Sequence, residues 1–467
     1  MQLLSKAELI NQFPESIRLI VKRLDSSLHN KGGKAYLVGG AVRDACLGIP
    51  VNDVDIEVFG VSATQLEIIL SEIGPFDSYG KSFGIYKLRG SPIDIALPRK
   101  ETKKGSGHRG FSIECDPNLT IDKAALRRDF TINSLYFNIS EQLIIDPMGG
   151  IDDLKSGILN PCSEKFKEDP LRVLRAMQFI ARFGLNPSST CIAFCKKMEP
   201  EQIAKERFLP EWKKFFLKGK FLSAGLQFLR TVGWVKYYPE LDKTIDCVQD
   251  PRWHPEGDVW NHTLHCLDAF TECDFKNDED RLITGLATLC HDFGKPLTTK
   301  KGNDGIIHAH GHEIAGVLPT KSFCNTIGVK ENQIEVICNL VKTHMRPHQL
   351  FAQKSSSAAI RRLANDVGRL DLLLALYYAD SGGRPPLQNE SPTAIQWIKE
   401  KASSLGVVNS KPKPLLRGRD LVKAGLTPSP RFKRILDQAF NAQLDGEIDS
   451  HKSAVEWLKK NLQNQKS

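Results

Sequence analysis

Two aspartates one residue apart, Asp53 and Asp55, follow a pair of glycines, Gly39 and Gly40, in the stretch YLVGGAVRDACLGIPVNDVDIEVFG. Val54, Ile56 and Val58 alternate with Asp53, Asp55 and Glu57, which predicts a strand carrying both aspartates on one face. Carboxylates held side by side repel each other unless a cation neutralises them, and the hard Mg²⁺ ion takes such oxygen ligands. Gly39 and Gly40 allow a tight turn at which backbone N–H groups can approach a triphosphate, and Arg43 follows to neutralise it. A metal–nucleotide site is indicated.

Further along, DKAALRRDFTINSL places Arg127, Arg128 and Asp129 in succession. Arginines grip phosphate or ribose oxygens, and an adjacent aspartate orients an arginine or accepts from a ribose hydroxyl. In FKEDPLRVLRAMQFIARFG, Glu168, Asp169, Arg172 and Arg175 form a charged set at the start of a helical pattern. Spacing alone reads Asp169 and Arg172, three apart, as an ion pair within that helix. A different constellation runs from Pro251 to Asp380: His262, His291, Asp292, His312, His344 and Asp380 recur in helical segments. Six metal-type side chains of this kind, in this order, point to bound metal.

The elements that must position these residues change character along the chain. Helical spacing predicts a first helix over Pro14–Leu28, with Ile17, Leu19, Ile20, Leu24 and Leu28 apolar, and another over Ala63–Ile73. FDSYGKSFGIYKLRG and SPIDIALPRK read as two strands joined at Gly90–Pro92, the second carrying Asp94. RKETKKGSGHRGFSIECDPNLT, from Arg99, is basic and glycine-rich with little periodicity, and reads as a mobile loop. IIDPMGGIDDLKSG reads as strand, turn and helix start. From Glu164 the pattern is nearly all helix. LGVVNSKPKPLLRG is an extended connector, followed by a helix over Pro430–Gln443 with Arg431, Lys433 and Arg434 on a basic face.

Composition limits the function classes. At 467 residues the chain exceeds one ordinary core, and 41% hydrophobic with 25% charged residues describes a globular protein. No apolar run approaches a membrane span, and the N-terminus lacks the order of a signal peptide, so the expected place is the cytoplasm with no membrane partner. The eleven cysteines contain no CxxC pair and read as reduced core thiols. A formal charge of +9 suits a polyanionic partner.

Taken together, GGxVRD with DxD, carried by Gly39, Gly40, Val42, Arg43, Asp44, Asp53 and Asp55, resembles the first motif of polymerase β superfamily nucleotidyltransferases. The likeness is to the class II tRNA nucleotidyltransferase (CCA-adding) and bacterial poly(A) polymerase family. The resemblance implies an α+β fold, with a small mixed-sheet head over 1–160, a helical neck and body over 161–250, an HD phosphohydrolase domain over 251–385 and a helical tail over 386–467. Asp53 and Asp55 would hold Mg²⁺, with Asp94 as third catalytic carboxylate and Glu57 its competitor. Arg128, Asp129 and Asn133 match the RRDFTIN element that selects ribonucleotides. Glu168, Asp169, Arg172 and Arg175 match the EDxxR element that reads the incoming base, and KERFLPEWKKFFL resembles the neck. The loop after Arg99 looks like the one needed for the final adenosine. The histidine series resembles the HD superfamily: His262, His291, Asp292 and Asp380 would hold one metal, and His312 with His344 would bring in a second. Ni²⁺, Co²⁺ or Mn²⁺ would serve there, activating water and clamping a phosphate, with Lys295 nearby to bind the phosphoryl group. The expected partners are tRNA, ATP and CTP, and the oligomeric state is left open. Rival expectations are a poly(A) polymerase and an HD phosphohydrolase with a tRNA-binding head.

Overall fold

The computed structural model describes residues 5–79, 84–103, 111–387 and 390–463. They form two compact units: residues 1–211 with 224–234, and residues 212–223 with 235–467.

The first unit is built on a seven-stranded mixed sheet of order β3-β4-β5-β2-β1-β8-β9. Its strands are β1 (Lys34–Val38), β2 (Val54–Phe59), β3 (Phe76–Tyr79), β4 (Ile85–Leu88), β5 (Ile93–Ala96), β8 (Tyr136–Asn138) and β9 (Leu143–Ile145). Only β2 and β5 pair in parallel; the other neighbours are antiparallel. Alternation fixes the register: Val54, Ile56 and Val58 are buried, so Asp55 is forced to the opposite face. The helix Glu15–His29 buries Ile17, Val21, Leu24 and Leu28, while Leu19 faces solvent at 61% exposure. Its apolar stripe therefore runs through Val21 rather than Leu19.

Two sequence expectations change here. The stretch FDSYGKSFGIYKLRG is not one strand but the β3–β4 hairpin, whose tip includes residues outside those described. The stretch after Arg99 is not a plain loop, because β6 (Arg99–Lys103) and β7 (Phe111–Cys115) pair antiparallel. Ladder hydrogen bonding overrides the weak periodicity of that segment. The loop expected at its centre falls on residues 104–110, which lie outside the described residues.

The second unit is helical. The helices Val259–Phe270, Asp278–Cys290, Glu331–Thr343 and Leu370–Gly382 pack together around Leu267, Phe270, Leu286, Leu340 and Leu373. Leu370–Gly382 is apolar almost all round, as a helix enclosed by neighbours must be. The C-terminal helices Arg431–Asp445 and His451–Gln463 share a small core of Leu421, Ile435, Ala439, Ala454 and Leu458. Among the described residues no helix is long and apolar enough to cross a membrane.

Gly39 ends β1 with φ 70° and ψ −133°, a conformation essentially reserved for glycine, and a Cβ there would lie 2.9 Å from Arg128 Nη1. Gly39→Ala is therefore expected to lower stability by about 1–3 kcal/mol. Urea unfolding followed by circular dichroism checks this, and a midpoint equal to the parent protein's would contradict it.

Candidate functional site

Register, more than spacing, assembles the first site. Val38 pairs with Asp55, Asp55 with Asp94 and Asp94 with Lys87, so Asp55 and Asp94 stand side by side across β2 and β5 at the Gly39 turn. They line a cleft of about 390 Å³ together with Glu57, Arg99, Arg127 and Arg128. Asp53 lies just before β2 and is exposed. Asp55 keeps an open face to solvent, but packed protein behind it desolvates the carboxyl and raises its pKa. Arg128 opposes that rise, while Asp94, Asp53 and Glu57 add to it. Glu57 is committed elsewhere, bound to Arg128 Nη2 at 2.9 Å. Asp94 contacts Lys87 at 3.4 Å across an exposed pair, a weak and displaceable tie. Of the two candidates for a third carboxylate, the structure leaves Asp94 the freer. Adjacent carboxylates whose mutual repulsion raises a pKa fit a divalent cation held by oxygen ligands.

Several motif residues face inward. Arg43, expected beside a triphosphate, is only 3% exposed. Its guanidinium donates to Asp44 Oδ1 at 2.9 and 2.7 Å and to Asn133 Oδ1, and it stacks 5.0 Å from the rings of Phe179 and Phe183. Asn133 Nδ2 donates to Asp129 Oδ1 at 2.9 Å, and Asp129 Oδ2 accepts from Arg175 Nε at 2.6 Å. These bonds tie the GGxVRD turn, the RRDFTIN segment and the helix Leu171–Phe183 into one buried network. Arg43, Asn133 and Asp129 thus position their segments.

The ion pair expected between Asp169 and Arg172 does not form. Asp169 precedes the helix with extended backbone and binds Arg207 at 2.7 and 3.2 Å. Arg172 donates instead to the carbonyls of Lys165 and Arg127, both at 2.8 Å. The three-residue spacing shares a face only when both residues are helical, and Asp169 is not. Glu168 closes the preceding 3₁₀ turn.

In the second unit, His262, His291, Asp292, His312 and His344 are all buried, and Asp380 is partly so. The imidazoles are oriented alike. Nδ1 of His291, His312 and His344 lies 2.7–2.8 Å from the carbonyl oxygens of Thr288, Ala309 and Val341. Nδ1 of His262 lies 2.8 Å from Glu256 Oε1 and 3.1 Å from the Gly383 carbonyl. With Nδ1–H donating, each Nε2 presents a lone pair. Those lone pairs converge: His262 and His291 Nε2 are 3.3 Å apart, His312 and His344 Nε2 3.2 Å apart, and Asp380 Oδ1 is 3.1 Å from His262 Nε2. Besides His254 with Glu256 and His262, two sets gather within 4.8 Å, one of His262, Cys266, His291 and Asp380, the other of Asp292, His312 and His344. Asp292 faces both, with Oδ2 3.3 Å from His291 Nε2 and Oδ1 3.4 Å from His312 Nε2. Among the described residues neither of its oxygens has a partner in hydrogen-bond geometry, although Lys295 Nζ lies 2.7 Å from Oδ2. Acceptors converging in this way fit divalent metal.

Electrostatics agree. Burial pushes His344 down to about 3, with His291 and His312 adding to the effect, so its ring is neutral and able to ligate. Burial also works against a proton on His262, but the charges and hydrogen bonds of Cys266, Asp380 and Glu256 outweigh it and raise the pKa. Gly294, in the HDFGK turn, allows the close approach of the His312 carbonyl, which a Cβ would meet.

Sequence reasoning missed Glu256, Cys266 and Arg384. Glu256 has a side chain closed to solvent and is held down at about 2, burial being overcome by the bonds to His254 and His262. The HxE spacing just ahead of His262 was its only signal. Cys266 stands one helical turn from His262, a spacing visible in the sequence. Arg384 lines the adjoining cavity of about 420 Å³, and its place four residues after Asp380 was its signal. Lys295, expected to reach a phosphoryl group, lines the same cavity, where its Nζ already binds Asp292, Gln249 Oε1 at 2.5 Å and His254 Nε2 at 3.4 Å.

A nucleotidyltransferase-like head and a helical phosphohydrolase-like unit are thus joined in one chain. Residues 35–160 match the family model of the poly A polymerase head domain, and residues 259–376 that of the HD domain. The multifunctional CCA protein of Actinobacillus pleuropneumoniae serotype 5b (strain L20) is 33% identical over 388 residues, covering 80% of this chain and 92% of that protein. That of Xylella fastidiosa (strain 9a5c) is 33% identical over 327 residues, covering 68% and 75%. The fold is also that of the Bacillus stearothermophilus CCA-adding enzyme solved with CTP, at 21% identity, TM-score 0.66 and coverage of 96% and 98%. The Thermotoga maritima CCA-adding enzyme complexed with tRNA shares it at 20% identity and TM-score 0.61, over 99% of this chain and 100% of that one. The chain belongs to the multifunctional CCA protein family.

Asp129 offers a pH test of the buried network. Burial raises its pKa, but the charge of Arg175, the Asn133 hydrogen bond and the charge of Arg172 bring it from 3.8 to about 2. A folded pKa below the unfolded one stabilises above the unfolded value and is lost as pH falls from 3.8 towards 2. Asp129→Asn is expected to cost about 2 kcal/mol near neutrality. In urea titrations from pH 7 downward, the gap to the parent protein should narrow only below about pH 4; a gap independent of pH would remove the charge from the account.

Proposed function

We propose that the head completes the 3′ end of tRNA by adding C, C and A from CTP and ATP without a nucleic-acid template. The second unit hydrolyses phosphate esters, as a phosphatase or 2′,3′-cyclic phosphodiesterase. The observation that carries the first activity is the Asp55–Asp94 pair set beside the Gly39 turn in a cleft lined by Arg127 and Arg128. Membership of the multifunctional CCA protein family and the buried histidine–aspartate sets support this reading over a poly(A) polymerase, or over a phosphohydrolase whose head only binds RNA.

Asp53, Asp55 and Asp94 would hold Mg²⁺, which when bound activates the primer hydroxyl and stabilises the leaving pyrophosphate. Arg128, oriented by Glu57, presents positive charge to the nucleotide in the cleft. Gly39 and Gly40 keep the turn clear of side chains. Arg43, Asp129, Asn133 and Arg175 hold the three motif segments in place. Asp169 and Arg172 read the base edge, exchanging their present partners for it, with Glu168 closing the turn before them.

In the second unit, His262, His291 and Asp380, with Asp292, His312 and His344, would hold divalent metal, Ni²⁺, Co²⁺ or Mn²⁺ being suitable, which lowers the pKa of bound water. Lys295 sets the Asp292 carboxylate, and Arg384 offers charge to a phosphate in the cavity.

A tRNA lacking its CCA end, incubated with CTP and ATP singly and together, should be extended to full length only with both. Asp55→Ala should reduce addition by several orders of magnitude while hydrolysis of a phosphomonoester survives, and Asp292→Ala should do the reverse. Normal addition by Asp55→Ala would overturn the head assignment.

Base choice gives a separate test. Cytosine and adenine both present an amino donor beside a ring-nitrogen acceptor, matching aspartate acceptors and arginine donors. A bidentate contact is worth about 1–3 kcal/mol of discrimination, hence roughly tenfold to a hundredfold. Asp169→Ala combined with Arg172→Ala should relax incorporation towards UTP and GTP with Mg²⁺ dependence intact. Parental discrimination in that double variant would place base choice elsewhere.

A further inference from the structure

Cys266 is the one thiol among the described residues that joins a metal-type set. It is fully buried on the helix Val259–Phe270, and its i,i+4 relation to His262 puts both side chains on one face. Its Sγ is 3.3 Å from His262 Nε2, and the same nitrogen is 3.3 Å from His291 Nε2 and 3.1 Å from Asp380 Oδ1. Metal–nitrogen bonds of about 2.1 Å and metal–sulfur bonds of about 2.3 Å separate neighbouring donors by about 3.0–3.6 Å, from right-angled to tetrahedral geometry. The sulfur therefore sits at the spacing of a coordination edge, as the nitrogen and carboxylate donors do.

A packing role for the thiol explains less. Sγ is 3.8 Å from the Asp380 carbonyl oxygen, a loose contact, whereas its short approach is to the nitrogen that Glu256 orients into the site. Around that nitrogen lie a carboxylate oxygen and a second imidazole lone pair, and the thiol brings the only sulfur.

We propose that Cys266 is a thiolate ligand of the metal held by His262, His291 and Asp380, so that this position prefers Zn²⁺, Co²⁺ or Ni²⁺ over Mg²⁺ or Mn²⁺. The metal–sulfur bond forms as the S–H bond breaks, and the proton leaves to solvent. Thiolate is a soft donor and discriminates against metals that favour oxygen ligands. The inference rests on the reading of the second unit as a metal site, and it deepens that reading by naming the class of metal.

Cobalt substitution of the full chain tests it. The protein, stripped with chelator and reloaded with Co²⁺, should show a near-ultraviolet sulfur-to-cobalt charge-transfer band whose intensity saturates with bound metal. Cys266→Ser and Cys266→Asp should both lose the band, whereas Cys273→Ser, which alters a thiol outside the set, should keep it. X-ray absorption of the Zn²⁺-loaded parent should show one sulfur at about 2.3 Å, absent from Cys266→Ser. The Zn²⁺-to-Mn²⁺ affinity ratio should fall at least tenfold in Cys266→Asp, which retains a ligand but not a soft one. Stoichiometric Co²⁺ without the band, or a band that survives in a folded Cys266→Asp variant, overturns the thiolate assignment and leaves the metal-site reading standing. Failure of the parent protein to bind Co²⁺ or Zn²⁺ overturns both.

Discussion

Convergence of electron-rich atoms on a few points is the constraint on which this molecule depends. In the first unit it is two carboxylates set side by side by strand register; in the second it is imidazole nitrogens and carboxylates gathered inside a helical bundle. Neither arrangement is cheap, since burial disfavours charge and like groups repel. Each persists because the surrounding fold over-determines it. Parallel pairing of β2 with β5 leaves Asp55 and Asp94 no alternative row, and Nδ1 bonds hold the imidazoles whose Nε2 atoms meet.

The two sites solve the same electrostatic problem with different rigidity. The head cleft is open, its carboxylates are partly exposed, and Asp94 is tied only to a surface lysine. Such a site can admit and release a large charged substrate. The second site is closed to solvent at almost every ligand and is braced by Glu256 behind His262 and Lys295 behind Asp292. Outer partners of this kind fix ring orientation and ligand basicity, which suits a resident metal rather than one arriving with substrate.

Motif residues also divide into those that face the cleft and those that hold it. Arg128 lines the cleft, whereas Arg43, Asn133, Asp129 and Arg175 form a buried relay that joins three segments distant in sequence. A buried charge left without its partner is costly, so the loss of any member would disturb all three segments. The demanding residue types of these motifs therefore reflect architecture, not only chemistry at the cleft.

By itself the sequence determined strands followed by helices, the strand that carries Asp55, and the two groups of chemically able residues, while Asp53, expected on that same strand, lies just before it. Those features rest on local periodicity and residue chemistry, which short windows contain. Only tertiary structure decided which atoms meet. Strand pairing put Asp94 beside Asp55 and gave Glu57 to Arg128; the non-helical backbone at Asp169 sent it to Arg207 instead of Arg172; packing of helices brought Cys266 among the histidines, and the tertiary fold gave Lys295 Gln249 as a partner. These choices depend on contacts between residues tens to more than a hundred positions apart, and such distances leave no trace in local spacing.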